Sequence, residues 1–183
     1  MREALIGLPG SGKTTVFNAI APEPVDASPG TIQTDTHVQV VTVRDARLDR
    51  CREIFQPKKF TPAGLEVWDP PGLPPGGSER AKERRLRILH SLREADAYVL
   101  VVRAFENDVY PYERAEAAPG ADLAWLVDEL LAADFVVADG RIQRLRENLK
   151  RGVRTKDQDA RELAVLEKAA ERLEAGQGLK DLE

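Results

Sequence analysis

The apolar run Ala4-Leu5-Ile6 predicts a short buried strand close to the N-terminus, and Thr15-Val16-Phe17-Asn18-Ala19-Ile20 predicts a helix that Pro22-Glu23-Pro24 stops. Residues 27–30, Ala-Ser-Pro-Gly, open a polar loop. Between residues 36 and 43 the alternation of Val38, Val40, Val41 and Val43 with polar positions reads as a β-branched strand. Leu48, Cys51, Ile54 and Phe55 recur at three- and four-residue steps, which predicts a helix with Cys51 as a small core residue. Residues 65–68 predict a strand with Asp69 at its tip, and the Pro- and Gly-rich residues 70–77 predict a loop. Ser78 is placed to cap a helix running through Leu86, Leu89 and Leu92 to Glu94. The nearly continuous apolar stretch 97–102 predicts a central parallel strand buried on both faces. Strands alternating with helices in this way specify an α/β fold, a three-layer sandwich around a mostly parallel sheet.

The pattern changes at about Pro119-Gly120. Leu123, Leu126, Leu130, Val137, Ile142, Leu145 and Leu149 mark one long amphipathic helix, and Leu163, Leu166, Ala170 and Leu173 a second. Arg151-Gly152-Val153-Arg154 between them predicts an antiparallel helical hairpin, so the chain divides into residues 1–118 and a hairpin over 119–178.

The junction of the first strand and helix carries the chemistry. Gly7-Leu8-Pro9-Gly10-Ser11-Gly12-Lys13-Thr14 matches the phosphate-loop pattern G-x-x-x-x-G-K-[ST] in its strand, loop, helix setting. Small residues at Gly7, Gly10, Ser11 and Gly12 let successive amides turn inward as an anion nest at the positive end of a helix. Lys13 is expected to reach the β- and γ-phosphates and stabilise charge in the transition state, the Thr14 hydroxyl to ligate magnesium, and Thr15 to meet the α-phosphate. Pro9 completes the candidate nucleotide site. Downstream, Asp69-Pro70-Pro71-Gly72 reads as the D-x-x-G element: Asp69 would hold magnesium opposite Thr14, and the Gly72 amide would bond the γ-phosphate. Ras-like enzymes follow this glycine with a water-orienting glutamine, whereas this chain has Leu73, which can neither donate nor accept a hydrogen bond. No Asn-Lys-x-Asp base signature occurs, since the asparagines are Asn18, Asn107 and Asn148.

Composition narrows the partners. The 183 residues carry a net charge of −4 and are only 5% aromatic, which argues against an overall basic field or a base-stacking platform, so no DNA sequence recognition is expected. The single cysteine suits a reducing compartment and excludes an internal disulfide; with no apolar run of membrane-spanning length, a cytoplasmic protein without membrane contact is expected. Arg80, Lys82, Arg84, Arg85 and Arg87 form a basic helix face read as solvated. The hairpin tip, with Arg144, Arg146, Lys150, Arg151, Arg154 and Lys156, is a second basic patch, read first as a solvated turn and, as the alternative, as the best candidate for contact with RNA or the ribosome.

GLPGSGKTTVFNAI (7–20), RDARLDRCREIFQPKK (44–59), LEVWDPPGL (65–73), LREADAYVLVVRAFEND (92–108) and ELAVLEKAAERLEAG (162–176) together resemble the YchF group of Obg-like P-loop NTPases. The resemblance implies an Obg-type nucleotide-binding domain interrupted by a coiled-coil hairpin, with magnesium-dependent hydrolysis of ATP or GTP and an association with ribosomes. It also implies a first-switch threonine completing the magnesium shell, with Thr31 the first choice and Thr34 or Thr36 the alternatives. The chain departs from the family pattern in its Gly10-Ser11-Gly12-Lys13-Thr14 loop, in Leu100 where a histidine is common, and in the charged 78–87 segment in place of a glycine-rich second switch. The family's last sheet strands, its base signature and its C-terminal TGS domain have no counterpart here, so an incomplete G domain with an open sheet edge is expected, in a sequence either partial or naturally short. A slow nucleotide-hydrolysing switch is the leading function. A non-hydrolysing nucleotide-binding module and a small-molecule or nucleotide kinase are the alternatives.

Overall fold

The computed structural model describes residues 1–27, 33–107, 112, 117–151 and 156–180. Thr31 and Arg154 lie outside the described residues. Four strands, β1 (Arg2–Ile6), β2 (His37–Thr42), β3 (Gly64–Asp69) and β4 (Ala97–Leu100), form one sheet in the order β2-β3-β1-β4. β1 pairs in parallel with β3 and β4, and β2 pairs antiparallel with β3. The sheet is therefore mixed but mostly parallel.

Successive residues of β1 point to opposite faces, and Ala4, Leu5 and Ile6 are all buried, so both faces of this strand are covered. On one face Leu5 and Val67 pack with Phe17 of α1 (Lys13–Ile20), joined by Val41, Leu65 and Val101. On the other, Tyr98 lies beside Ala4 in the parallel register and donates its hydroxyl to the Leu92 carbonyl at 3.2 Å, where α3 (Glu79–Ser91) ends. The Ser78 hydroxyl caps α3 by accepting from the Ala81 amide, as the sequence implied.

Three expectations are corrected. β4 is an edge strand rather than a central one: its neighbour is β1 alone among the described residues, and Tyr98 and Val99 are about 40% exposed. An apolar run reports burial only where two neighbours exist to supply it. α2 (Ala46–Phe55) buries none of its residues; Cys51 is exposed, as are Leu48, Ile54 and Phe55, so its three- and four-residue spacing does not mark a core face here. Arg85, read as one of a solvated row, is 5% exposed and donates to the carbonyls of Pro74 and Gly76, both at 2.9 Å, fixing the Pro- and Gly-rich loop.

The chain divides into two compact units, Met1–Leu123 and Ala124–Glu183. α4 (Pro119–Arg151) begins in the first and supplies most of its length to the second, where α5 (Lys156–Glu174) completes the antiparallel hairpin. Ala138, Ile142 and Leu145 of α4 and Ala169 and Leu173 of α5 are buried, whereas Val137 is exposed. Arg141 holds Glu162 through two hydrogen bonds of 2.6 and 2.8 Å, and Arg146 holds Glu167 at 2.7 Å.

Candidate nucleotide-binding site

The strand β1 delivers its last residue, Ile6, directly into the phosphate loop, and α1 begins at Lys13. Gly12 occupies the position before the helix at φ 101°, and among the described residues no side chain caps it. The leading amides of α1 are thus left for an anion, as a phosphate site requires.

The D-x-x-G segment is seated on this loop. The Leu73 amide donates to the Gly7 carbonyl at 2.9 Å. A Cβ at Gly72 would stand 2.6 Å from the Pro9 nitrogen and 2.8 Å from Pro9 Cα, so only glycine permits the approach. Thr14 donates its hydroxyl to Asp69 Oδ2 at 2.8 Å. Lys13, Ser11 and Asp69 are all buried, and the structure thus brings together Pro9, Gly10, Ser11, Gly12, Lys13, Thr14, Asp69 and Gly72. Thr15 follows on the first turn of α1 and is exposed.

At this loop two buried oxygens, Ser11 Oγ and Asp69 Oδ1, have no hydrogen-bond partner among the described residues. An unsatisfied buried oxygen is costly, and both lie where the loop would receive a ligand. A carboxylate beside a threonine hydroxyl is a hard oxygen donor pair that suits magnesium, which takes one or two protein oxygens and completes its shell with water and phosphate. Burial lowers the Lys13 pKa from its ordinary value, while the charge of Asp69 acts in the opposite direction. A desolvated ammonium of this kind is compensated when a polyanion arrives.

Residues the sequence reading passed over also converge on Asp69. The Gln33 amide donates to the Asp69 carbonyl at 2.6 Å, and His37 Nδ1 lies 3.5 Å from Asp69 Oδ2 and 3.4 Å from Gln33 Nε2. The antiparallel register of β2 and β3 sets His37 opposite Asp69. No motif announces that pairing, which depends on strand register. Leu73 is 1% exposed and is a packing residue. A cleft of about 370 Å³ lies elsewhere, at the far end of β2, lined by Thr42, Arg44, Asp45, Leu48 and Phe60. A phosphate cradle is a ring of amides rather than a cavity, so the two need not coincide.

Residues 2–124 match the family model described as 50S ribosome-binding GTPase. Over 166 residues the chain is 36% identical to the ribosome-binding ATPase YchF of Haemophilus ducreyi, covering 90% of this chain and 44% of that protein. The chain belongs to the 50S ribosome-binding GTPase family, in its YchF group. Other members of the group are similar over comparable lengths: YchF of Escherichia coli O157:H7 is 34% identical over 98% of this chain and 48% of its own, and Obg-like ATPase 1 of Schizosaccharomyces pombe 33% identical over 92% and 44%. The solved structure of the Schizosaccharomyces pombe YchF GTPase superposes with a TM-score of 0.70, at 27% identity, over 100% of this chain and 50% of that one. The YchF relatives named here thus extend to about twice the length of this chain.

Proposed function

We propose that this chain binds the magnesium complex of a purine nucleoside triphosphate, ATP or GTP, and hydrolyses it slowly to the diphosphate and phosphate, as the switch of a YchF-type, ribosome-associated protein of the cytoplasm. The observation that carries the reading is the convergence of the Lys13 ammonium, the Thr14 hydroxyl and an Asp69 oxygen on one loop, where among the described residues neither that oxygen has a partner nor the leading helical amides a side-chain cap.

The loop amides and Lys13 bind the phosphates, and Lys13 offsets charge that develops as the terminal phosphoryl group departs. Thr14 and Asp69 would hold magnesium, which when bound neutralises phosphate charge. Gly72, packed on Pro9, couples the D-x-x-G segment to the occupancy of the loop. Leu73 is buried and apolar, so it does not orient water, and slow turnover follows from that lack. Of the threonines considered for the first switch, Thr31 is outside the described residues and stays the first choice, with Thr34 and Thr36 as alternatives.

Buried Leu73 also favours a second reading, a module that holds nucleotide without turning it over. Calorimetry with Mg-ATP and Mg-GTP, with and without EDTA, tests binding: the wild type should bind and Lys13→Ala should not. Unchanged binding in that variant would remove the phosphate-loop assignment. Release of labelled phosphate then separates the readings. A wild-type rate no faster than that of Lys13→Ala leaves the module, and transfer of label to an added acceptor would indicate a kinase instead.

A further inference from the structure

Just beyond β4 the chain buries an arginine whose role no motif assigned. Arg103 is 3% exposed and directs its guanidinium at main-chain carbonyls: Nε donates to Phe105 at 3.0 Å, Nη2 to Asn107 at 3.2 Å, and Nη1 to Gly10 of the phosphate loop at 3.1 Å. The first two fold the segment after β4 back onto the guanidinium. The third crosses 93 positions in sequence. Two rings stack against the same group, Phe105 with its centroid 4.5 Å from Cζ and Tyr112 at 5.1 Å, and the Tyr112 hydroxyl donates to buried Asp122. A planar fork held by rings and carbonyls has little freedom left, unlike the flexible ammonium of a lysine.

Gly10 sits at φ 75°, and a glycine peptide can reverse its direction at little cost. The Gly10 carbonyl and the Ser11 amide belong to one planar trans peptide and face opposite ways. Whatever holds that carbonyl outward therefore fixes where the next amide points, which here is at the Leu8 carbonyl, 3.2 Å away, closing a turn within the loop. The Phe105 ring also covers the loop, with Cε1 3.8 Å from where a Cβ on Gly12 would lie.

We propose that Arg103 is a positioning residue for the phosphate loop: it clamps the Gly10-Ser11 peptide, whose amide closes a turn on Leu8, and so holds the loop in the shape that presents the leading amides of α1 to the phosphates of a bound nucleoside di- or triphosphate. The proposal rests on the nucleotide-binding reading above. Loop amides cradle phosphates that the two ligands share, so loss of the clamp weakens both equally and raises KM with little effect on kcat.

The test compares wild type, Lys13→Ala, Arg103→Gln and Arg103→Lys by calorimetry with Mg-ADP and Mg-ATP, beside melting curves of the nucleotide-free proteins. Failure of the wild type to bind would defeat the nucleotide reading whatever the arginine variants do. Given wild-type binding, Arg103→Gln should weaken both ligands about tenfold, the size expected for losing a charge-assisted hydrogen bond. Arg103→Lys should recover part of that loss, since it restores the charge without the fork. Wild-type affinity in folded Arg103→Gln and Arg103→Lys would overturn the proposal, as would a loss confined to ATP. Should Arg103→Gln fail to melt cooperatively, Arg103→Lys decides: equal weakening of ADP and ATP supports the clamp, and unchanged affinity overturns it.

Discussion

Gly72 carries an unusual share of the site's geometry for a residue without a side chain. A methyl group there would press on main-chain atoms of Pro9, which cannot rotate away as a side chain could. Gly72→Ala should therefore destabilise the fold by about 1–3 kcal/mol, the usual cost of overpacking, and also weaken nucleotide binding by displacing the loop. A melting curve and a calorimetric titration of the same sample check both, and unchanged values would show that the loop yields freely. At this scale the sequence was informative wherever the chemistry is local. Lys13, Thr14 and Asp69 declare themselves through short motifs, and the structure joins the last two by a hydrogen bond. Gln33, His37 and Arg103 declare nothing, because their roles depend on contacts across 36, 32 and 93 positions.

Periodicity located the elements better than it located their surroundings. α2 forms where its spacing says, with Asp45 accepting from the Arg47 amide at its start, yet its apolar positions are exposed. Spacing reports which residues share a face, not whether another element arrives to cover it. β4 makes the same point, since its apolar run lies at an edge. In the hairpin, the Arg141 guanidinium holds the Glu162 carboxyl below its ordinary pKa of 4.5. A carboxylate with a lowered folded pKa contributes stability above the unfolded value and loses it as pH falls through the folded one. The melting temperature of Glu162→Gln, followed by helical ellipticity, should thus lie slightly below wild type at neutral pH. The gap should close as the pH drops below 4.5, and a gap independent of pH would show that the ion pair does not act through charge. Both partners are largely solvated, so the effect is small.

For the molecule as a whole, charge and coverage bear on the proposed ribosomal contact. The chain is net negative, and part of its basic hairpin tip is neutralised locally, because Arg146 pairs with Glu167 and Arg151 with Glu147. Arg144 and Lys150 are the cations through which an RNA contact is best tested. Charge reversal, Arg144→Glu with Lys150→Glu, should lower co-sedimentation with ribosomes several-fold, with the difference shrinking as salt rises. Equal sedimentation at low salt would place the contact elsewhere. The strand order could not be read from the sequence, since it is set by which strands meet and not by what any one contains. The packing around the loop also bears on how the protein can change over generations. A Cβ at Gly7 would overlap the Val101 carbonyl, as one at Gly72 would crowd Pro9, so both glycines are demanded by the fold whether or not a nucleotide ever binds. A descendant that had abandoned nucleotides would still inherit the glycines, and drift at Lys13, Thr14 and Asp69 would be the trace of its lost activity.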